Sequence, residues 1–113
     1  MLLDYGIIGT ITGRYYAMDR DKRWERVKLA YEGLCQGVGE ISSDFKSTIE
    51  NRYINGETDE FLKPIICNQE SIIKDNDTLL FFNFRSDRMR ELTQALGISP
   101  IPFETLVQPK NLV

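Results

Sequence analysis

Histidine does not occur in this chain, which removes the commonest proton shuttle near neutral pH and a principal ligand of transition metals. Chemistry that needs either must draw it from elsewhere. Cysteine occurs twice, at Cys35 and Cys67, with neither a CxxC spacing nor the density of a disulfide framework; this fits a reducing compartment and thiols used for packing. No stretch approaches the roughly 20 apolar residues of a membrane span, and Met1-Leu2-Leu3-Asp4 lacks the basic and apolar regions of a secretory leader. No membrane partner is expected, and the cytoplasm is the expected location. Positive charge is not in excess either. With 14 basic and 17 acidic residues the net charge is -3, which argues against a nucleic-acid partner, since that requires a basic face.

What remains is an ordinary globular composition, 42% hydrophobic and 27% charged over 113 residues. A chain of this size holds one core and buries roughly two thirds of its unfolded surface. Gly6 to Thr12 is a β-branched run bounded by glycines and predicts a strand. Trp24, Val27, Tyr31, Leu34, Cys35 and Val38 recur at helical spacing, with Asp19 or Asp21 as the cap and Gly37 as the stop. A second helix is expected from Asp44 to Asn55, with Ser43 as the cap and Phe45, Ile49 and Tyr53 on one face. Glu57 to Pro64 reads as an extended acidic connection and Asp75-Asn76-Asp77 as a turn. Thr78 to Phe84 is almost wholly apolar, as expected of a strand covered on both faces. Met89, Leu92 and Leu96 then repeat on a helix that has Ser86 or Asp87 near its cap and Gly97 at its end. The order strand-helix-helix-strand-helix predicts an α/β fold, part of a three-layer domain with a mostly parallel sheet flanked by helices. Residues 1–113 form a single partial domain in this reading, and residues 97–113, with Pro100, Pro102 and Pro109, an irregular or incomplete tail.

Basic residues concentrate in two places on the acidic background: six between Arg14 and Lys28, and three between Arg85 and Arg90. The first cluster is Gly13-Arg14-Tyr15-Tyr16-Ala17-Met18-Asp19-Arg20 and the second Asn83-Phe84-Arg85-Ser86-Asp87-Arg88. Each falls between an expected strand and an expected helix, the edge at which α/β sheets bind anions. Guanidinium is a planar fork, charged at any ordinary pH, and grips phosphate or carboxylate oxygens two at a time. A single exposed arginine pairs with a nearby acid and contributes little. Four of them converging would hold a small anion, so Arg14, Arg20, Arg85 and Arg88 are the candidate binding residues. Glu57, Asp59 and Glu60 lack the ligand order of a calcium loop and are expected to solvate the connection or to pair with nearby arginines.

The run Gly13 to Val27, Gly-Arg-Tyr-Tyr-Ala-Met-Asp-Arg-Asp-Lys-Arg-Trp-Glu-Arg-Val, closely resembles a signature of the cofactor-independent phosphoglycerate mutases. Gly56-Glu57-Thr58-Asp59-Glu60-Phe61, Asp77 to Phe84 and Asn83 to Arg88 resemble further segments of that family, in its order. The resemblance implies an enzyme in which an alkaline-phosphatase-like domain carries two metal ions, usually manganese, and a serine nucleophile, while a second α/β domain holds the glycerate. This chain is similar to the latter half of that second domain. The implied reaction interconverts 3-phosphoglycerate and 2-phosphoglycerate through a phosphoserine, and Arg14, Arg20, Arg85 and Arg88 match the family's substrate-binding arginines. Ser86 departs from the proline often found there, and no segment matches the family's nucleophile, metal ligands or Asp-Gly-Arg-Asp motif. The chain is therefore expected to supply substrate binding without nucleophile or metal. Two other classes are a regulatory or phosphorylated-metabolite-binding module without catalysis and, disfavoured by charge, a nucleic-acid binder using Tyr15, Tyr16 and Trp24.

Overall fold

Three short stretches rich in β-branched residues meet in a small sheet, seen in a computed structural model that describes residues 5–98. Its strands are β1 (Thr10–Ile11), β2 (Glu40–Ile41) and β3 (Ile65–Ile66), in the spatial order β1-β3-β2. Thr10 lies opposite Ile66 in an antiparallel pair, and Glu40 lies beside Ile65 in a parallel one. The fold is α/β as expected, but its described sheet is mixed. Ile65 and Ile66, wholly buried, form the central strand. Sequence patterning had assigned no strand there, because two residues carry no periodicity.

Four helices surround the sheet: α1 (Arg14–Ala17), α2 (Trp24–Gln36), α3 (Phe45–Ile54) and α4 (Ser86–Thr93), the last running into a wide turn over Gln94–Ile98. The core forms between α2 and the end of α4. Val27 and Tyr31 pack with Leu92, Ala95 and Leu96, and Trp24, Leu34, Cys35, Ile73 and Leu79 close around them half-buried. Gly37 ends α2 in the left-handed conformation at φ 68, where a Cβ would be strained.

Several expectations need correction. Strand β1 is confined to Thr10–Ile11, because β3 offers only two residues to pair with; upstream, Gly9 O instead accepts the N–H groups of Cys67 and Asn68 at 2.8 and 3.1 Å. Neither Asp19 nor Asp21 caps α2, whose N-cap is Arg23; Asp19 accepts the Arg23 N–H itself. The α3 cap is Asp44, one residue beyond Ser43, and its carboxylate accepts from Ser47 N–H at 3.4 Å. The α4 N-cap is Arg85, without a side-chain cap from Ser86 or Asp87. Part of the acidic connection is a tight helical turn, Asp59–Phe61.

The largest departure is Thr78 to Phe84, which carries neither strand nor helix and leaves Leu80, Phe82 and Phe84 exposed. An apolar run becomes a covered strand only where a neighbour offers backbone groups, and no described strand lies against it. The Asp75-Asn76-Asp77 turn forms, with Lys74 N–H donating to Asp77 Oδ2 at 2.9 Å and Asn76 at φ 71. The predicted tail lies outside the described residues apart from Gly97, which ends the last turn at φ 124. No helix among the described residues is long and apolar enough to cross a membrane.

Candidate functional site

Gly13 sets the position of the first arginine. Its N–H donates to Leu62 O at 2.7 Å, and a Cβ there would sit 2.6 Å from Leu62 N and 2.7 Å from Asp59 O. Backbone meets backbone at this point, which only glycine permits. The chain then turns into α1, starting at Arg14, and Arg14 Nη2 reaches Glu60 Oε1 at 2.7 Å, on the tight turn that Gly13 packs against. Glu57, also in that connection, pairs with Arg52 at 2.9 Å. The acidic connection thus does supply partners for arginines.

The second cluster arrives through α4. Asn83 Oδ1 accepts the Arg85 N–H at 2.9 Å, a local turn that leads into the helix. Arg88, one turn in, donates from Nη1 to Met18 O at 3.1 Å, while Asn83 Nδ2 approaches Met18 Sδ at 3.8 Å. Both clusters therefore meet at Met18, between α1 and α2.

Arg14, Arg20 and Arg88 line one cavity of about 330 Å3, together with Tyr15, Asp19, Asp21, Arg26 and Glu60. Arg85 does not line it. It joins through Asp87, whose carboxylate accepts from Arg85 at 3.0 and 3.3 Å and from Arg20 at 3.3 Å. The Arg85 hydrogen bonds, then that of Arg20, hold the Asp87 carboxyl below the usual carboxylate range. Three of the four candidate arginines share a cavity, and Arg14 and Arg20 pair with acids at it. Glu60 and Asp87 occupy guanidinium edges of the kind that grip phosphate or carboxylate oxygens. These pairs are solvent-exposed and individually weak.

Arg26 was not among the candidate residues. Its guanidinium lies over the Tyr15 ring, 3.9 Å from the centroid, and its Nη1 reaches Asp19 Oδ1 at 3.4 Å. Tyr15 in turn packs edge-on against Tyr16 and at a tilt against Phe61, with centroids 5.1 and 5.0 Å away. Tyr15 is thus a cavity wall clamped between a cation and two rings. The signal for Arg26 was its place in the first turn of α2, facing back over the loop that carries Arg20. Trp24 packs against the core, as expected. Burial pushes the Cys35 thiol up to about 11 and raises that of Cys67, so neither is poised as a nucleophile. Among the described residues no three His, Cys, Asp or Glu side chains converge as a metal site would require, and no step is assigned to a metal held by this chain.

Residues 2–111 match the family described as "BPG-independent PGAM N-terminus". A Brugia malayi protein named 2,3-bisphosphoglycerate-independent phosphoglycerate mutase is 57% identical over 112 residues, covering 96% of this chain and 22% of that protein. The Caenorhabditis elegans protein of the same name is 50% identical over 113 residues, covering 96% and 21%. A solved Leishmania mexicana phosphoglycerate mutase, determined at low cobalt concentration, superposes with a TM-score of 0.79 at 25% identity, over 94% of this chain and 21% of that one. The chain thus spans about a fifth of the length of the relatives it matches.

Proposed function

Because the chain belongs to the BPG-independent phosphoglycerate mutase N-terminal family, we propose that it is the latter half of that enzyme's substrate-holding domain, and that its arginines clamp a phosphoglycerate. The observation that carries this reading is the convergence of Arg14, Arg20 and Arg88 on one cavity, with Arg85 tied to Arg20 through Asp87. A phosphoglycerate is a three-carbon acid with a phosphate at one end and a carboxylate at the other. Guanidiniums approaching from the two clusters suit a ligand charged at both ends, since each fork binds two oxygens.

The part assigned to these residues is orientation and charge neutralisation. The arginines hold the glycerate through its carboxylate and free oxygens, while the phosphoryl group passes to a serine and back on to the neighbouring hydroxyl, interconverting 3-phosphoglycerate and 2-phosphoglycerate. Nucleophile and metal ions, manganese in this reading, belong to an alkaline-phosphatase-like domain outside this chain. By itself the chain binds substrate and does not turn it over. The cytoplasm, where glycolysis and gluconeogenesis run, is the compartment this reading assigns.

Calorimetric titration of the chain with 3-phosphoglycerate tests the clamp: saturable binding, weakened at least tenfold in Arg88→Ala and in Arg20→Ala, supports it. Wild-type affinity in both variants removes it. Turnover in an enolase-coupled assay by the chain with manganese would refute its assignment as a binding part only.

A further inference from the structure

Helix α4 and the turn after α1 carry the two arginine clusters, and a pair of buried carboxyl groups joins them. Glu91 on α4 and Asp19 on the turn are 5% and 4% exposed. Asp19 is fully provided for as an anion: Oδ2 accepts the N–H groups of Asp21 and Arg23 at 3.2 and 2.9 Å, and Oδ1 faces Arg26 Nη1 at 3.4 Å. Glu91 is not. Its Oε2 accepts only the Lys22 N–H at 3.2 Å, and its Oε1 is buried with no donor in reach. Asp19 accepts the N–H groups of Asp21 and Arg23 and Glu91 that of Lys22 between them, which brings the two buried carboxyls against the same turn, where both cannot keep a charge. The better-solvated one ionises and the other holds the proton.

We propose that Asp19 and Glu91 share one proton, and that the protonated Glu91 donates to Asp19 as a latch fixing the distance between the turn that carries Arg20 and the helix that carries Arg88. This rests on the substrate-clamp reading for its consequence, though not for its chemistry. Glu91 is then a positioning residue: it touches no ligand and acts through the arginines on either side of it.

The groups that bear on the pair are Asp21 and the Lys22 and Arg23 N–H groups on the turn and Arg26 on α2, with Asp87 and Arg88 one turn before Glu91 on α4 itself. Burial, and after it the neighbouring Asp19, pushes the Glu91 carboxyl up to about 7, against the pull of the Lys22 N–H. An exposed glutamate in the unfolded chain releases its proton near 4.5. Between those values the folded chain holds a proton that the unfolded chain has lost, so stability falls as pH rises through this window and levels off above it. In the folded chain the latch is closed below about pH 7 and open above it, and its contribution to stability is fully present only below about pH 4.5. Glu91→Gln imitates the protonated state permanently, its carbonyl accepting from Lys22 and its amide donating to Asp19.

The test is a carboxyl-carbon NMR titration of the whole chain, alongside denaturant unfolding and 3-phosphoglycerate binding from pH 4.5 to 8 in wild type, Glu91→Gln and Asp19→Asn. The Glu91 signal should turn over near pH 7 in wild type and at least one pH unit lower in Asp19→Asn. The unfolding midpoint should fall with pH in wild type and stay flatter in Glu91→Gln, which should be the more stable chain at pH 8. Affinity should decline more between pH 6 and 8 in wild type than in Glu91→Gln, a comparison in which the ligand's own phosphate titration cancels. A Glu91 midpoint in the ordinary carboxylate range, or a Glu91→Gln chain that keeps the wild-type slope, overturns the latch, and the wild-type titration decides this even if a variant fails to fold. Binding with identical pH dependence in wild type and Glu91→Gln overturns its role in setting the clamp. No binding by any chain at any pH removes the clamp, and with it the positioning role, while the shared proton stands on the titration.

Discussion

Arg20 and Asp87 meet at 3.3 Å although 67 positions separate them in the chain. The contact joins the turn after α1 to the first turn of α4, and Asp87 simultaneously holds Arg85 at 3.0 Å. One carboxylate thus gathers arginines from both clusters. It keeps their charges close without burying them, since all three side chains remain substantially exposed. This is an arrangement that concentrates cations at small gain to the fold.

That division predicts different fates for stability and affinity. Arg14→Ala and Arg85→Ala should each change unfolding free energy by less than about 1 kcal/mol, because exposed ion pairs contribute little. Arg14→Ala, which removes a guanidinium lining the cavity, should weaken 3-phosphoglycerate binding by about 1.5 kcal/mol or more, the contribution of a hydrogen bond to a charged group, whereas Arg85→Ala, acting only through Asp87, should weaken it less. Denaturant unfolding and calorimetry on the same preparations check both. Parallel losses in the two measurements would mean that these arginines are structural.

Arg52 supplies the contrast. Its guanidinium donates to Glu57 Oε1 at 2.9 Å, Lys63 O at 2.8 Å and Glu40 Oε1 at 3.0 Å, and its side chain is only 12% exposed. It fastens α3 to β2 and to the connection leading into β3. Arg52→Ala should therefore cost about 1 to 3 kcal/mol of stability, through the loss of three hydrogen bonds from one largely covered guanidinium, while 3-phosphoglycerate affinity of the folded chain stays within about twofold, a free-energy change of roughly 0.4 kcal/mol. Loss of affinity without loss of stability would reverse that assignment.

The elements that sequence reveals are those with a repeating face. Val27 and Tyr31 on α2, and Leu92 and Leu96 beyond the start of α4, recur at helical spacing because each covers one side of the core. Gly37 announces the end of α2 because φ 68 suits glycine. Ile65 and Ile66 form the central strand without announcing it, since their role depends on which residues flank them in space. Thr78 to Phe84 fails in the opposite sense: its composition asks for burial, and composition cannot state what would provide it. Among the arginines, motif spacing singles out Arg14, Arg20, Arg85 and Arg88, of which all but Arg85 share a cavity. Arg26 was missed because its stacking on Tyr15 spans 11 positions and follows from how α1 folds back on α2. Glu91 was invisible for the same reason: its partner, Asp19, lies on another element.

The close approach at Gly13 should be intolerant of a side chain. Alanine there would press its Cβ into the backbone of Asp59 and Leu62, so the loop must move away from the turn that carries Glu60. Gly13→Ala is expected to cost about 1 to 3 kcal/mol, as overpacking does. Because Arg14 follows directly, affinity for 3-phosphoglycerate should fall as well, in contrast to Arg52→Ala. Unfolding midpoints and binding isotherms for the two variants separate the effects; an unperturbed Gly13→Ala chain would show that the contact is not tight.

Phe82 and Phe84 stand 90% and 96% exposed, with Leu80 at 76% between them and the half-buried Leu79. The segment is apolar and free of described strand or helix pairing, which leaves its backbone groups available to another chain. No proline interrupts residues 78–84, so nothing in the run itself blocks strand addition. The chain by itself should therefore associate as its concentration rises, with this run as the contact. Sedimentation velocity over a hundredfold concentration range should show growing species for wild type, and a Phe82→Lys, Phe84→Lys double variant should stay monomeric, charge being the usual block on an exposed edge. Neither position lines the arginine cavity, so the double variant should bind 3-phosphoglycerate at least as well as wild type. Monomeric wild-type chain at every concentration would mean that this apolar segment is covered intramolecularly, and the exposure of Phe82 and Phe84 would then have no consequence for assembly.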